Sequence, residues 1–266
     1  MKTLTIIITI LTLFTSCSAT YFYSTINTND PYTYKDEYGR FVQEGDSIDV
    51  LYSFYGENAP ITICVVNKMS IPIYIDWRRS GVVIDDTPSP FAPNFDSEYD
   101  QDDLINFNLY MNNPDGLSYI RPYSRYEQKV MELANFNFHQ IPDEQFVKRE
   151  TEADSNGENR LLNSLQYTEA DSPLFMKTYL SIYEESSYIS DPLIYESDFY
   201  ISELIKGKKS TKPDSFQNGQ GDIFLVKHKK EKRLKKIGEG TLKVAGVTAT
   251  VIGNIAIWAL NSSGEH

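Results

Sequence analysis

The sequence predicts a mainly β protein: an antiparallel β-sandwich-like domain between an N-terminal signal helix and a C-terminal apolar segment of helical character. Three observations carry this expectation. Tyr and Phe are abundant, at 19 and 14 of 266 residues, and both favour strands, as do Val, Ile and Thr. Apolar and polar residues alternate over short runs punctuated by turn residues, the pattern of strands that bury one face. Two uncharged apolar stretches, residues 4–14 and 244–260, stand at the ends and do not share that punctuated pattern.

The first of these opens behind Lys2 and runs from Leu4 to Phe14. Eleven residues match a signal-peptide h-region of about 7–15 and fall short of the roughly 20 that span a bilayer as a helix. Residues 1–16 therefore read as a signal peptide. Leu13-Phe14-Thr15-Ser16-Cys17 resembles a bacterial lipobox, with Phe14 where Leu is usual. The resemblance implies that the Cys17 thiol takes a diacylglycerol and becomes the first residue of a palmitate-labelled lipoprotein of the bacterial cell envelope. Several acyl chains on one residue give stable anchoring, which one chain does not. Cys64 is the other cysteine. With Cys17 acylated it has no disulfide partner, and within "ITICVVN" it reads as a buried small hydrophobe.

Residues 17–45, polar and rich in Tyr and Asn, read as a lipid-anchored tether and lead-in, and 46–226 as the β-sandwich-like domain. "DSIDVLYSF" places Ile48, Val50, Tyr52 and Phe54 on one side. "ITICVVN" and "IPIYIDW" follow, the latter with Ile71, Ile73, Ile75 and Trp77 on one face and Pro72 confined to a strand start or edge. "RRSG" reads as a turn into a further strand, "VVID". Residues 85–103 form an acidic, proline-bearing loop. "INFNLYM" and "GLSYIRP" are strand-like, and "SRYEQKVMELANFNF" is a bulged strand or a short helix. Residues 147–160 read as a mobile polar insertion. "SPLFMKTYLSIY", "YESDFYISELIK" and "GDIFLVK" supply the last strands.

Residues 227–266 combine a basic stretch, "KHKKEKRLKK", with the second apolar segment. As a helix, residues 244–260 would span about 25 Å at 1.5 Å per residue, marginal against a hydrocarbon core near 30 Å. Gly246 and Gly253 would share one face and permit close contact with membrane or with a partner helix. A membrane helix, a helix packed on the protein or membrane surface, and a buried hairpin all remain open. Lysines ahead of the segment on a non-cytoplasmic side oppose the first of these, under the positive-inside tendency.

Charge is divided along the chain. Residues 1–205 carry 32 acids and 13 bases, residues 206–243 carry 12 bases and 4 acids, and Glu265 completes the net −12. An acidic body repels nucleic acid, so no nucleic-acid partner is expected. The basic stretch suits anionic headgroups or the acidic body itself. His139, His228 and His266 are scattered without metal-ligand spacing. "GKKST" at 207–211 lacks the upstream glycine of a P-loop and has Lys209 where Ser or Thr belongs. Asp96, Glu98, Asp100, Asp102 and Asp103 offer oxygen ligands at a spacing that suits Ca²⁺, though without the central glycine and closing Glu of an EF-hand loop. A solvated acidic loop is the plainer reading, and no other cofactor is expected.

"NKMSIPIYIDWRRSGVVID", with "TYFYS" after the cysteine and "YESDFYISEL" near the end, resembles a group of uncharacterised envelope lipoproteins of the Bacteroidota. The resemblance covers residues 17–85 and 170–205. It implies a β-sandwich and carries no activity with it. Two functions fit these features. One is a membrane-anchored, non-enzymatic module that binds an envelope protein or component, expected at the outer membrane facing the periplasm, because "SATYF" after the cysteine has no acidic cluster. The alternative is a hydrolase or carbohydrate-acting enzyme using paired carboxylates.

Overall fold

The computed structural model describes residues 19–84, 86–91, 116–150, 161–184, 192–209 and 212–229. The signal segment, Cys17, the carboxylates Asp96 to Asp103, and the tail with Gly246 and Gly253 lie outside the described residues. So do the expected signal helix and C-terminal helix.

Runs that alternate apolar and polar residues form the strands. In chain order they are β1 (Ala19–Asn27), β2 (Thr33–Lys35), β3 (Phe41–Gln43), β4 (Ile48–Ser53), β5 (Gly56–Glu57), β6 (Pro60–Asn67), β7 (Ile73–Ile84) and β8 (Thr87–Pro90). After these come β9 (Leu117–Ile120), β10 (Ser124–Glu132), β11 (Val147–Glu150), β12 (Leu161–Gln166), β13 (Phe175–Glu184), β14 (Leu193–Gly207) and β15 (Ile223–Lys229). One short helix, α1 (Asp214–Gln217), precedes β15.

The strands make two sheets, one of them curled like half a barrel. The smaller has the order β10-β6-β4-β3-β2. The larger follows β5-β15-β1-β14-β13-β7-β8, with β12 against β14, β11 against β12, and β9 against β7. Pairing is antiparallel except for two residues of β5 beside β15. Long strands act as spines: β12 and β13 lie end to end along β14, and β9 and β8 lie end to end along β7.

One apolar core joins the sheets. Ile48, Val50, Tyr52 and Phe54 are fully buried, as the alternation predicts, and so are Ile73, Ile75 and Trp77. Phe199 is the hub of an aromatic cluster, with the rings of Phe41, Tyr52 and Phe54 at 5.0–5.2 Å. A second, smaller cluster lies apart from this core, where Tyr23, Leu162, Ile205 and Ile223 pack with Phe216 of α1.

Several expectations need correction. Residues 19–45 are not a tether: they form β1, beside β14 and β15, together with β2 and β3. Tyr suits a strand that packs on both faces, and Tyr23 is buried beneath Phe216 at 5.2 Å between rings. "RRSG" is not a turn, since β7 runs through it. Ile71 lies before β7 and is exposed, while Asn67 closes the turn by donating to the Ile71, Ile120 and Arg121 carbonyls. Thr87–Pro90, expected as loop, pairs with β7 as an edge strand, where a Pro without an N–H is tolerated. Residues 147–150, assigned to the polar insertion, form β11. The 124–132 stretch is a strand with a bulge between Lys129 and Met131.

Candidate functional site

The departure from regular pairing in β7 builds the most distinctive surface among the described residues. Against β13, Asp76 pairs with Ser181 and Gly81 with Tyr179. Four residues, Trp77 to Ser80, therefore stand opposite Leu180 alone. Bulges of this kind bend a strand and re-aim its side chains. Phase explains why one is needed. Ile73, Ile75 and Trp77 face the core at odd positions, whereas Val82 and Ile84 face it at even ones, and a strand of period two cannot do both unbroken.

The excursion is stitched rather than frayed. Ser80 is buried; its hydroxyl donates to the Asp76 carbonyl at 2.6 Å and accepts from the Ser181 N–H at 2.9 Å. The Ser181 hydroxyl donates to the Arg79 carbonyl. Trp77 N–H donates to the Gly116 carbonyl, and Phe91 N–H to the Ser80 carbonyl. Trp77 turns inward, where its indole N–H reaches the Ser118 hydroxyl at 2.8 Å and its ring meets Phe91 edge-on. Gly116 has a positive φ of 67°, and a Cβ there would come within 2.7 Å of the Arg78 stem. Both facts favour glycine.

With Trp77 inside, Arg78 and Arg79 turn outward, their side chains 40% and 68% exposed. Asp76, only 4% exposed, lies beneath them. One of its oxygens accepts from the Arg78 backbone N–H at 3.1 Å and lies 3.5 Å from Arg78 Nε; the other is 3.9 Å from Arg79 Nε. One buried carboxylate thus balances one of two guanidinium charges, and the surface keeps a net positive charge from this trio. Arg79 also donates to the Tyr183 hydroxyl at 2.6 Å. Tyr183, Tyr74 and Tyr119 occupy one register row across β13, β7 and β9. The Tyr74 and Tyr119 rings lie 5.3 Å apart, and Tyr119 is 51% exposed. Planar, weakly hydrated guanidiniums beside an aromatic row suit a ligand that presents carboxylate or phosphate together with a flat or apolar face.

The residues singled out from sequence are not part of this surface. Cys17, the Asp96–Asp103 carboxylates, Gly246 and Gly253 lie outside the described residues. Cys64 is buried, and burial pushes its thiol above the usual range. Two of the scattered histidines meet: His139 and His228 stack with ring centres 4.0 Å apart and planes 5° from parallel. Parallel rings cannot aim their in-plane lone pairs at one ion. Among the described residues no group of three His, Cys, Asp or Glu could hold a metal, and no helix is long and apolar enough to cross a membrane. The arginine pair escaped notice because "RRSG" has the composition of a turn; the phase slip between Trp77 and Val82 was the signal that could have found it. No family model, curated protein or solved structure matches this chain.

Proposed function

We propose that this protein is a non-enzymatic binding module of a bacterial cell envelope, built on a sandwich-like scaffold and held at a membrane by lipid on Cys17. The arginine bulge of β7 is the surface it offers to a partner. The observation that carries the reading is the cost of that bulge: four residues leave the ladder against β13, and one backbone group of each is bonded elsewhere (Trp77 N–H, Arg78 N–H, Arg79 C=O and Ser80 C=O), with two exposed arginines as the product. Asp76 supports binding over acid–base chemistry, since its oxygens are engaged by guanidiniums and it is positioned to hold them. The partner is an envelope protein or component bearing anionic groups, and the location is the outer membrane facing the periplasm. Residues 244–260, with Gly246 and Gly253, supply a second contact with membrane or with a partner helix.

Two measurements test this. Cys17→Ser should abolish palmitate labelling and leave the precursor unprocessed; a variant that labels and matures normally removes the lipid anchor. For the surface, crosslinking and co-purification from native membranes should recover a partner with the parent protein and lose it with Arg79→Ala and Tyr119→Ala, at unchanged thermal stability. Equal recovery by these variants and by a control on the β10 edge, Arg125→Ala, would sink the bulge as the binding surface.

A further inference from the structure

The pairing of β1 gathers a second surface that the sequence scatters. Ala19 pairs with Lys229 and Tyr21 with Lys227 on one side of β1; Tyr21 pairs with Gly207 on the other. Lys208 and Lys209 follow Gly207 directly. Asn163 of β12 pairs with Lys206, which brings the start of β12 to the level of Lys208. Beside it, β11 pairs Lys148 with Asn163 and Arg149 with Leu162. Six exposed bases, Lys148, Arg149, Lys208, Lys209, Lys227 and Lys229, thereby meet at one end of the larger sheet. Lys206 at the same level is paired with Asp143, Glu150 ends β11, and the sequence that joins β11 to β12 carries Glu152, Asp154, Glu158 and Arg160. Exposed apolar groups accompany the bases: Leu161 is 69% and Val147 57% exposed. Lys227 Nζ lies 5.7 Å from the centre of the Tyr21 ring.

The opposite end of β1 has the reverse sign. There Thr28 bonds Asp198, Asn29 bonds Glu169, Thr33 bonds Asp30, and Lys35 pairs with Asp222. Nine strand residues at about 3.3 Å each separate the two ends by roughly 30 Å. That is several Debye lengths of about 8–10 Å, so the poles do not cancel each other in physiological salt.

We infer that the basic end is a docking surface for an anionic lipid bilayer. Ala19 lies at this end of the sheet rather than the acidic one, and in the sequence Cys17 comes two residues before it. The inference rests on the anchored reading for its orientation: a lipid on Cys17 brings the Lys227 and Lys229 end against headgroups and turns the acidic end away. Its charge and its exposed Leu161 and Val147 are independent of that reading. Each base near an anionic surface adds to the attraction, and partly exposed aliphatic groups beside them can enter the interface. A protein of net charge −12 docks on such a surface only by concentrating its bases at one end.

The test uses the mature full chain carrying Cys17→Ser behind a cleavable secretion signal, with phosphatidylcholine vesicles containing or lacking phosphatidylglycerol. The expected result is co-sedimentation with the anionic vesicles only, weakening as salt rises. The variant Lys208→Glu/Lys209→Glu/Lys227→Glu/Lys229→Glu keeps residues 230–266 and should bind at least tenfold less, while Arg125→Glu/Lys129→Glu on the β10 edge should bind as the parent does. Lysine acetylation footprinting of the parent adds a measurement without substitution: Lys208, Lys209, Lys227 and Lys229 should be protected by anionic vesicles, and Lys35 and Lys177 should not. Undiminished binding by the fourfold variant, or protection absent from these four lysines, overturns the docking surface. Palmitate labelling of the parent is scored separately. Labelling without docking removes this inference and leaves the anchor, and docking without labelling does the reverse.

Discussion

Trp77 shows how one residue ties fold to surface. Its ring fills the core beside Ile73 and Ile75, its indole N–H bonds Ser118, and its backbone N–H bonds Gly116. Because Trp77 turns in, the two arginines after it turn out. Trp77→Ala should cost about 3–5 kcal/mol, the range for deleting a buried large aromatic. Trp77→Phe keeps most of the volume and should cost less, losing chiefly the bond to Ser118. Chemical denaturation of both variants measures this, and a Trp77→Ala protein as stable as the parent would show that the ring is not a core group. The sequence carried this much at the residue scale, since Trp77 continues the face set by Ile73 and Ile75. For Asp76 the sequence leaves two readings, a partner for arginine or a group facing water. That two arginines share it was not legible, because their approach depends on the path of the bulge.

At the scale of elements, regular strands were legible and interruptions were not. β4 follows a run whose alternation gives its buried face directly, and β6, β13, β14 and β15 follow runs dense in aromatic, aliphatic and β-branched residues that mark a strand even where consecutive residues are buried. β1 was missed because it buries residues on both faces, Phe22 and Ile26 in the main core and Tyr23 under α1, so its alternation is blurred. β12 is not legible because its buried face pairs Leu162 with a polar Ser164 while Leu161 is exposed, so its apolar pattern does not mark the face. The sequence reads the bulge of β7 as a turn because Arg, Ser and Gly look alike in either setting. Hydrogen bonds distinguish them, and Ser80 makes the two that matter. Removing its hydroxyl leaves the buried Ser181 N–H without its acceptor, so Ser80→Ala should cost about 1–3 kcal/mol. Ser124→Ala removes a comparable hydroxyl bond to the Arg121 carbonyl at an exposed site and should stay within about 0.5 kcal/mol. Denaturant midpoints for the pair decide the point, and equal shifts would mean that Ser80 does not hold the bulge together.

The whole molecule has a pH response set by its buried tyrosines. The Tyr52 hydroxyl lies in the main core with no hydrogen-bond partner among the described residues. Burial pushes its pKa up to about 12; the nearby Thr178 and Ser197 hydroxyls offset this in part, and the Asp30 carboxylate adds a little to it. Burial also raises Tyr23, Tyr167 and Tyr195. In the unfolded chain a tyrosine gives up its proton near pH 10. Below that pH both states are protonated and these groups impose no pH dependence. As pH rises from 10 towards 12 the unfolded chain ionises while folded Tyr52 does not, so stability falls through that window. For Tyr52 alone the difference corresponds to about 3 kcal/mol. Tyr52→Phe removes the ionisable group without breaking a hydrogen bond. It should therefore match the parent within about 1 kcal/mol at neutral pH, yet unfold at a higher pH on the alkaline side. Near-ultraviolet circular dichroism followed against pH, with tyrosinate absorbance in parallel, gives both midpoints. The remaining tyrosines keep an alkaline transition in the variant, so the comparison is of position rather than presence. Coincident midpoints would show that the Tyr52 hydroxyl is bonded or hydrated in solution, and the core around Phe199 would then have to admit a polar partner.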